Sequence, residues 1–232
     1  MFHARTLFSL LLLPPPARVP HFQLLQVLAR LRHPHCLLLL GICLDQGKEM
    51  LLSEYCVNGS LWDVLHSNRV INLTRERRVV IAQQMASALR YLHRQGLLHR
   101  DLKSPNILLT ETYQVRVADF GLSRLQASTL TGVGTVAWSA PETLASDNRE
   151  EGPASDVWSF GITLWEIASG AAPYDKINPI TIAIGVMSGK LKPDMEQAEE
   201  LWPGCRQLIE DCLEMEPADR PTFDEIVDRI NI

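Results

Sequence analysis

The run DVWSFGITLWEIASG, residues 156–170, is apolar around nearly its whole circumference. A helix of that kind needs protein on every side, so the run predicts a central, buried helix. The chain can supply those surroundings. Its 232 residues, 46% of them hydrophobic, suffice for one large domain or for two lobes that share a core.

Other segments show which elements surround that helix. Ile81, Met85, Ala88, Leu89 and Leu92 recur at spacings of three and four, which predicts one face of a helix ending near Gly96. Near the end, TFDE reads as a capping box: the Thr222 hydroxyl accepts from a first-turn amide while Glu225 reaches back to the cap. Phe223, Ile226, Val227 and Ile230 form the buried face of that last helix. Earlier, Leu24, Leu25, Leu28 and Leu31 predict a helix over residues 22–31, which Pro34 brings to an end. CLLLLGIC and EMLLSEY then read as two buried strands joined by a turn at residues 45–47. VNGS, residues 57–60, is a second turn and a linker between a small lobe and a large one.

Charge and cysteine usage narrow the class. A net charge of -5 gives no basic field for nucleic acid. Five scattered cysteines without a C-x-x-C pair indicate neither a zinc site nor a disulfide framework; reduced, mostly buried thiols of a cytoplasmic protein are the expectation. The leucine run after Arg5 is too short to span a bilayer, and three prolines follow it. Residues 1–20 are therefore expected to be disordered or foreign to the fold.

HRDLKSPNILL, residues 99–109, crowds five charged or polar side chains ahead of an apolar run. YQVRVADFG follows, with Val115 and Val117 alternating. A hairpin between the two stretches would return Asp119 to the side of Asp101 and Asn106. Three oxygen-bearing side chains at one mouth suit magnesium, which prefers carboxylate, amide, water and phosphate oxygens. Phosphoryl transfer calls for such a site, because its catalysis is mostly positioning and charge neutralisation. Each piece has a plainer reading alone: Asp-Phe-Gly as a turn, His99 as a buried structural histidine.

Together, HRDLKSPN, DFG, SAPE, DVWSFG and DRP stand in the order and approximate spacing of the eukaryotic-type protein kinases, and the chain resembles that family from Phe22 onward. The resemblance implies an α+β, two-lobed kinase-like fold with a mainly helical, complete C-lobe (residues 58–232) and a truncated N-lobe with hinge (residues 21–57). It implies ATP and Mg2+ as cofactors and protein hydroxyls as acceptors. Asp101 is then the catalytic base, Lys103 steadies the transferred phosphate, and Asn106 and Asp119 hold the metal. Ser53 takes the gatekeeper position, Glu54 and Cys56 offer hinge backbone groups to adenine, and Leu109 forms the adenine floor. Lys103 resembles the serine/threonine kinases, and GTVAWSAPE and LLSEYCVNGSLWDVL resemble the tyrosine-kinase-like group, which mostly phosphorylates serine and threonine; Thr135 would sit beside the acceptor hydroxyl. Residues 121–140 would be the activation loop, with Ser128, Thr129 and Thr131 as modifiable hydroxyls and Arg100 as the receiving cation. Glu142 and Arg220 would form a buried ion pair. Asp156 would cap the central helix and bond backbone near His99.

Two family features are missing. No glycine precedes Gly41, and the first lysine is Lys48, so neither a glycine-rich loop nor the lysine-bearing strand is found. Leu24 stands where that lysine's glutamate partner should align. Two accounts follow: an active kinase whose sequence is truncated or mis-spliced, or a pseudokinase or scaffold that binds protein partners. No Gly-x-Ser-x-Gly or His-Glu-x-x-His motif supports a hydrolase or another metal enzyme.

Overall fold

The structure is a computed structural model that describes residues 8–12, 31–45, 48–66, 73–120, 135–145 and 152–230. Three antiparallel strands come first, β1 (Phe8–Leu12), β2 (Leu39–Asp45) and β3 (Lys48–Glu54), in the spatial order β1-β3-β2. β2 and β3 are the pair predicted from the apolar runs. β1 corrects the expectation for the leucine run. It pairs along β3 from Phe8↔Glu54 to Leu12↔Met50 instead of lying outside the fold. A strand paired on one side only leaves a row of amides and carbonyls unmet, and a neighbouring apolar strand satisfies them. The rest of residues 1–20, the helix predicted over residues 22–30, and Gln46 and Gly47 of the predicted turn lie outside the described residues.

Seven helices follow among the described residues: α1 (Leu61–His66), α2 (Arg75–Arg94), α3 (Pro141–Ala145), α4 (Pro153–Ser169), α5 (Pro179–Met187), α6 (Cys205–Cys212) and α7 (Phe223–Ile230). Between α2 and α3 runs a short hairpin, β4 (Ile107–Leu109) and β5 (Val115–Val117). α2 starts where the Thr74 hydroxyl accepts from the Arg77 amide, and the predicted apolar stripe is fully buried. The chain leaves it through Gly96 at φ 70°, a left-handed conformation that costs glycine little. The predicted capping box opens α7, with the Thr222 amide donating to Glu225 Oε2 at 2.7 Å.

α4 is the predicted central helix. Trp158, Phe160, Ile162 and Leu164 are wholly enclosed, with α2 on one side and α6 on another. Each such side chain contributes about 1.5–3 kcal/mol through burial. Gly161 allows the close approach of α6: a Cβ there would lie 2.7 Å from Cys212 Cβ. No helix among the described residues is long and apolar enough to cross a membrane.

Candidate active site

The loop between α2 and β4 is pinned from below by α4. Asp156 accepts from the His99 amide and from the Arg100 amide, both at 2.8 Å, and from His93 Nε2 at 2.8 Å. This corrects one expectation. Asp156 binds backbone near His99 as predicted, but the α4 cap is Gly152, whose amide donates to Ser155 Oγ. Asp156 sits a turn deeper, where its carboxylate faces the loop. The two anchored amides hold Arg100 at φ 69°, in the left-handed region that non-glycine residues rarely adopt. His99 is fully buried, which depresses its pKa against the pull of Asp156, Asp101 and Asp119. Its Nδ1 accepts from the Asp101 amide at 3.3 Å.

Downstream, the 3-10 turn Ser104–Asn106 leads into β4. Ile107 pairs with Val117, and the Ala118 amide donates to the Asn106 carbonyl, so the hairpin returns Asp119 to the loop as predicted. Asn106 Nδ2 donates to the Asp101 carbonyl at 2.7 Å and to Asp101 Oδ2 at 3.0 Å. Lys103 Nζ reaches Asp101 Oδ2 at 2.8 Å and Thr135 Oγ1 at 2.8 Å. Asp101, Lys103, Asn106 and Thr135 are thus one bonded group. A shallow pocket beside it is lined by Arg100, Asp101, Thr135, Trp138 and Ser139. Asp119 completes the cluster at φ 59°. Burial raises its pKa, with the Asp101 carboxylate adding to the rise and His99 and Lys103 opposing it.

Among the described residues no three His, Cys, Asp or Glu side chains form a metal cage by themselves. The donors present fit a different kind of cation site. Asn106 spends its amide nitrogen on Asp101, which leaves its oxygen to face a cation, and Asp119 offers a carboxylate that a cation would relieve of its unfavourable burial. Magnesium binds in that manner, with one or two protein oxygens and the remainder from water and phosphate.

The linker after β3 is held by a partner that the sequence did not single out, Arg116. The Glu54 carboxylate accepts from Arg116 Nε at 3.0 Å and from the Leu38 amide at 3.0 Å, tying β3 to β5. The Glu54 carbonyl accepts from Ser53 Oγ at 3.2 Å. Cys56 is buried, its thiol pushed up to about 11 chiefly by burial, and its carbonyl accepts from Gly59. Leu109 is the residue expected to form the adenine floor. It is completely enclosed in the core, as is Ile107, because both lie on the inner face of β4. Leu108 lies on the other face, opposite the Arg116 that bonds Glu54. One residue of register separates the two faces.

Arg220 meets Glu142 with two bonds, at 2.7 and 2.9 Å, and lies over the Trp158 ring. The Arg220 side chain is wholly buried, while that of Glu142 keeps 20% of its surface exposed, so the predicted pair is buried from one side. Gly121, Ser128, Thr129 and Thr131 lie outside the described residues. Glu166, a second acid deep inside the apolar α4, also escaped the sequence reading. The available signal was that a charge in such a helix needs partners.

The family described as protein tyrosine and serine/threonine kinase matches residues 18–230. Serine/threonine-protein kinase CTR1 of Arabidopsis thaliana is 39% identical over 211 residues, 87% of this chain and 25% of its own length. Serine/threonine-protein kinase STY17 of the same plant is 32% identical over 210 residues, 88% of this chain and 36% of its own. Mitogen-activated protein kinase kinase kinase 13-B of Xenopus laevis is 34% identical over 208 residues, 88% of this chain and 21% of its own. The chain therefore spans about a fifth to a third of the length of these relatives. All three are named as protein kinases, and the non-catalytic alternative finds no support in those names. With that match running almost end to end, and with the loop, hairpin and ion pair standing as described, the chain belongs to the protein tyrosine and serine/threonine kinase family, and its resemblance to the tyrosine-kinase-like group holds.

Proposed function

We propose that this chain transfers the γ-phosphoryl group of ATP to serine and threonine hydroxyls of protein substrates. The observation that carries the reading is the position of Lys103, whose ammonium bonds both Asp101 and Thr135. That contact joins the base to the turn on which an acceptor would rest. Asp101 orients the acceptor hydroxyl and takes its proton. Lys103 balances charge on the group in transit, and Thr135 borders the acceptor. Asn106 and Asp119 would hold magnesium, which neutralises charge on the phosphate oxygens when bound. Adenine would lie against the linker at Ser53, Glu54 and Cys56. Residues 21–57 then serve as the nucleotide-side lobe and residues 58–232 as the catalytic lobe. The five free cysteines suit a reducing, cytoplasmic setting.

The test is transfer of labelled γ-phosphate from magnesium ATP to casein by the purified chain. Label is expected on serine and threonine, with a loss of about 10²–10⁴-fold in Asp101→Asn. Equal incorporation by Asp101→Asn overturns the role of the base, and label on tyrosine overturns the acceptor class. Asp119→Ala is expected to lose magnesium-dependent thermal stabilisation by ATP; an unchanged shift removes Asp119 from the site.

A further inference from the structure

Glu166 is a fully buried carboxylate on α4, and among the described residues three donors converge on it. Ser104 Oγ donates to Oε1 at 2.6 Å, from the position next to Lys103 in the catalytic loop. Trp138 Nε1 donates to Oε2 at 3.2 Å, from the turn Val136–Trp138 that begins at Thr135. His66 Nε2 lies 2.7 Å from Oε1 and comes from the last position of α1, just beyond the linker. The carboxylate thus joins three segments: the loop that bears the base, the turn that borders the acceptor, and the first helix after the linker.

A carboxylate buried this deep needs each of its donors, because one left unmet costs the desolvation of a charged group. His66 shares Oε1 with Ser104, so the ring N–H and the serine hydroxyl satisfy that oxygen together. His66 is also held in place. Its ring packs 4.2 Å from that of Trp62 one helical turn back, and Trp62 in turn meets Trp138 edge-on at 5.8 Å. His66 keeps 14% of its side chain exposed while Glu166 keeps none, so the histidine is the rim of the cluster and the carboxylate its centre.

We propose that His66 is a positioning residue for phosphoryl transfer. Acting through Glu166, it holds the catalytic loop and the acceptor turn in one mutual arrangement. The inference rests on the reaction proposed above, because it assigns His66 a share in aligning Asp101 and Lys103 with the acceptor. His66 bonds none of those groups itself.

Two substitutions separate the donor from the bulk. His66→Gln keeps an N–H that can reach Glu166, whereas His66→Leu fills the space without one. Hydrogen exchange by mass spectrometry on the whole chain is the first readout. His66→Leu is expected to speed exchange in residues 99–106 and in residues 135–139, and His66→Gln to restore protection in both. In turnover, His66→Leu is expected to lower kcat on casein roughly tenfold with the KM for ATP unchanged, and His66→Gln to recover most of it. Faster exchange confined to α1, equal behaviour of the two variants, or a loss that appears in the KM for ATP overturns the proposal. Should His66→Leu not fold, Ser104→Ala removes a donor from the same oxygen and has to loosen the same two segments. A wild-type chain without transferase activity would overturn the reaction assigned above, and the exchange measurement would still decide whether His66 couples the two segments.

Discussion

The sheet β1–β3 and the helices around α4 are held together in different ways. In the sheet, the strands are joined by two antiparallel backbone ladders. Leu51 is buried there, and Leu40, Tyr55 and Val57 stand open to solvent on or beside the strands. Around α4, cohesion comes from side chains: enclosed aromatic and aliphatic groups, with buried polar atoms paired across segments distant in sequence. Among the described residues, the groups that bond Asp101 belong to the second region. The linker is the seam between the two, and the Glu54–Arg116 pair closes it. A group that has to hold a proton acceptor within tenths of an ångström is thus built where packing is dense and mutually constraining.

The contrast can be broken at several places. The largest effect is expected from Arg220→Ala, which leaves Glu142 without its guanidinium and Trp158 without its cover, at a cost of about 3–5 kcal/mol in urea unfolding. Burial alone would raise the Glu142 pKa, but the Arg220 and Ser155 bonds outweigh it and the net shift is downward. A depressed carboxylate stabilises the fold above its unfolded pKa, and that contribution is lost as pH falls through the folded value. Wild type should therefore lose stability in acid below the ordinary glutamate range, and Arg220→Ala should lose less over the same interval.

Next comes a matched pair of leucines. Leu164→Ala in α4 is expected to cost about 2–5 kcal/mol, and Leu51→Ala in β3 less, because a thin sheet can close over the gap. Equal costs would remove the distinction between the regions. Two glycines make a finer test. Gly161→Ala drives a methyl against Cys212 and Leu213 and is expected to cost about 1–3 kcal/mol. At Gly41 in β2 a Cβ meets nothing within 4 Å, so Gly41→Ala should fall within about 0.5 kcal/mol of wild type.

The smallest effect is kinetic. Burial pushes the thiols of Cys36 to about 12 and of Cys205 to about 11, and that of Cys212 higher still. All should react slowly with iodoacetamide at neutral pH. Cys36, which lies between the sheet and β5, should label before Cys205 and Cys212 if the sheet opens more readily than the helical core. The reverse order, followed by mass spectrometry, would place the weaker region on the helical side.

Repetition and local order in the residues alone determined a good deal. The apolar circumference of residues 156–170 required a buried helix, the spacing from Ile81 to Leu92 required a buried stripe, and the two valines before Asp119 required a hairpin that returns it to Asn106. These follow from periodicity, which depends on neighbours a few residues away. Only the tertiary structure decided which long-range partners meet. Asp156 turns to two amides 57 and 56 residues away instead of capping its own helix. Leu109 turns into the core while Leu108 lies opposite Arg116, the leucine run near the start becomes a strand on β3, and Glu166 gathers donors from three segments. A carboxylate or a strand edge carries no mark of its partner in its own vicinity. The pairing is chosen when helices and strands pack, because buried polar groups accept whichever donors that packing brings within reach.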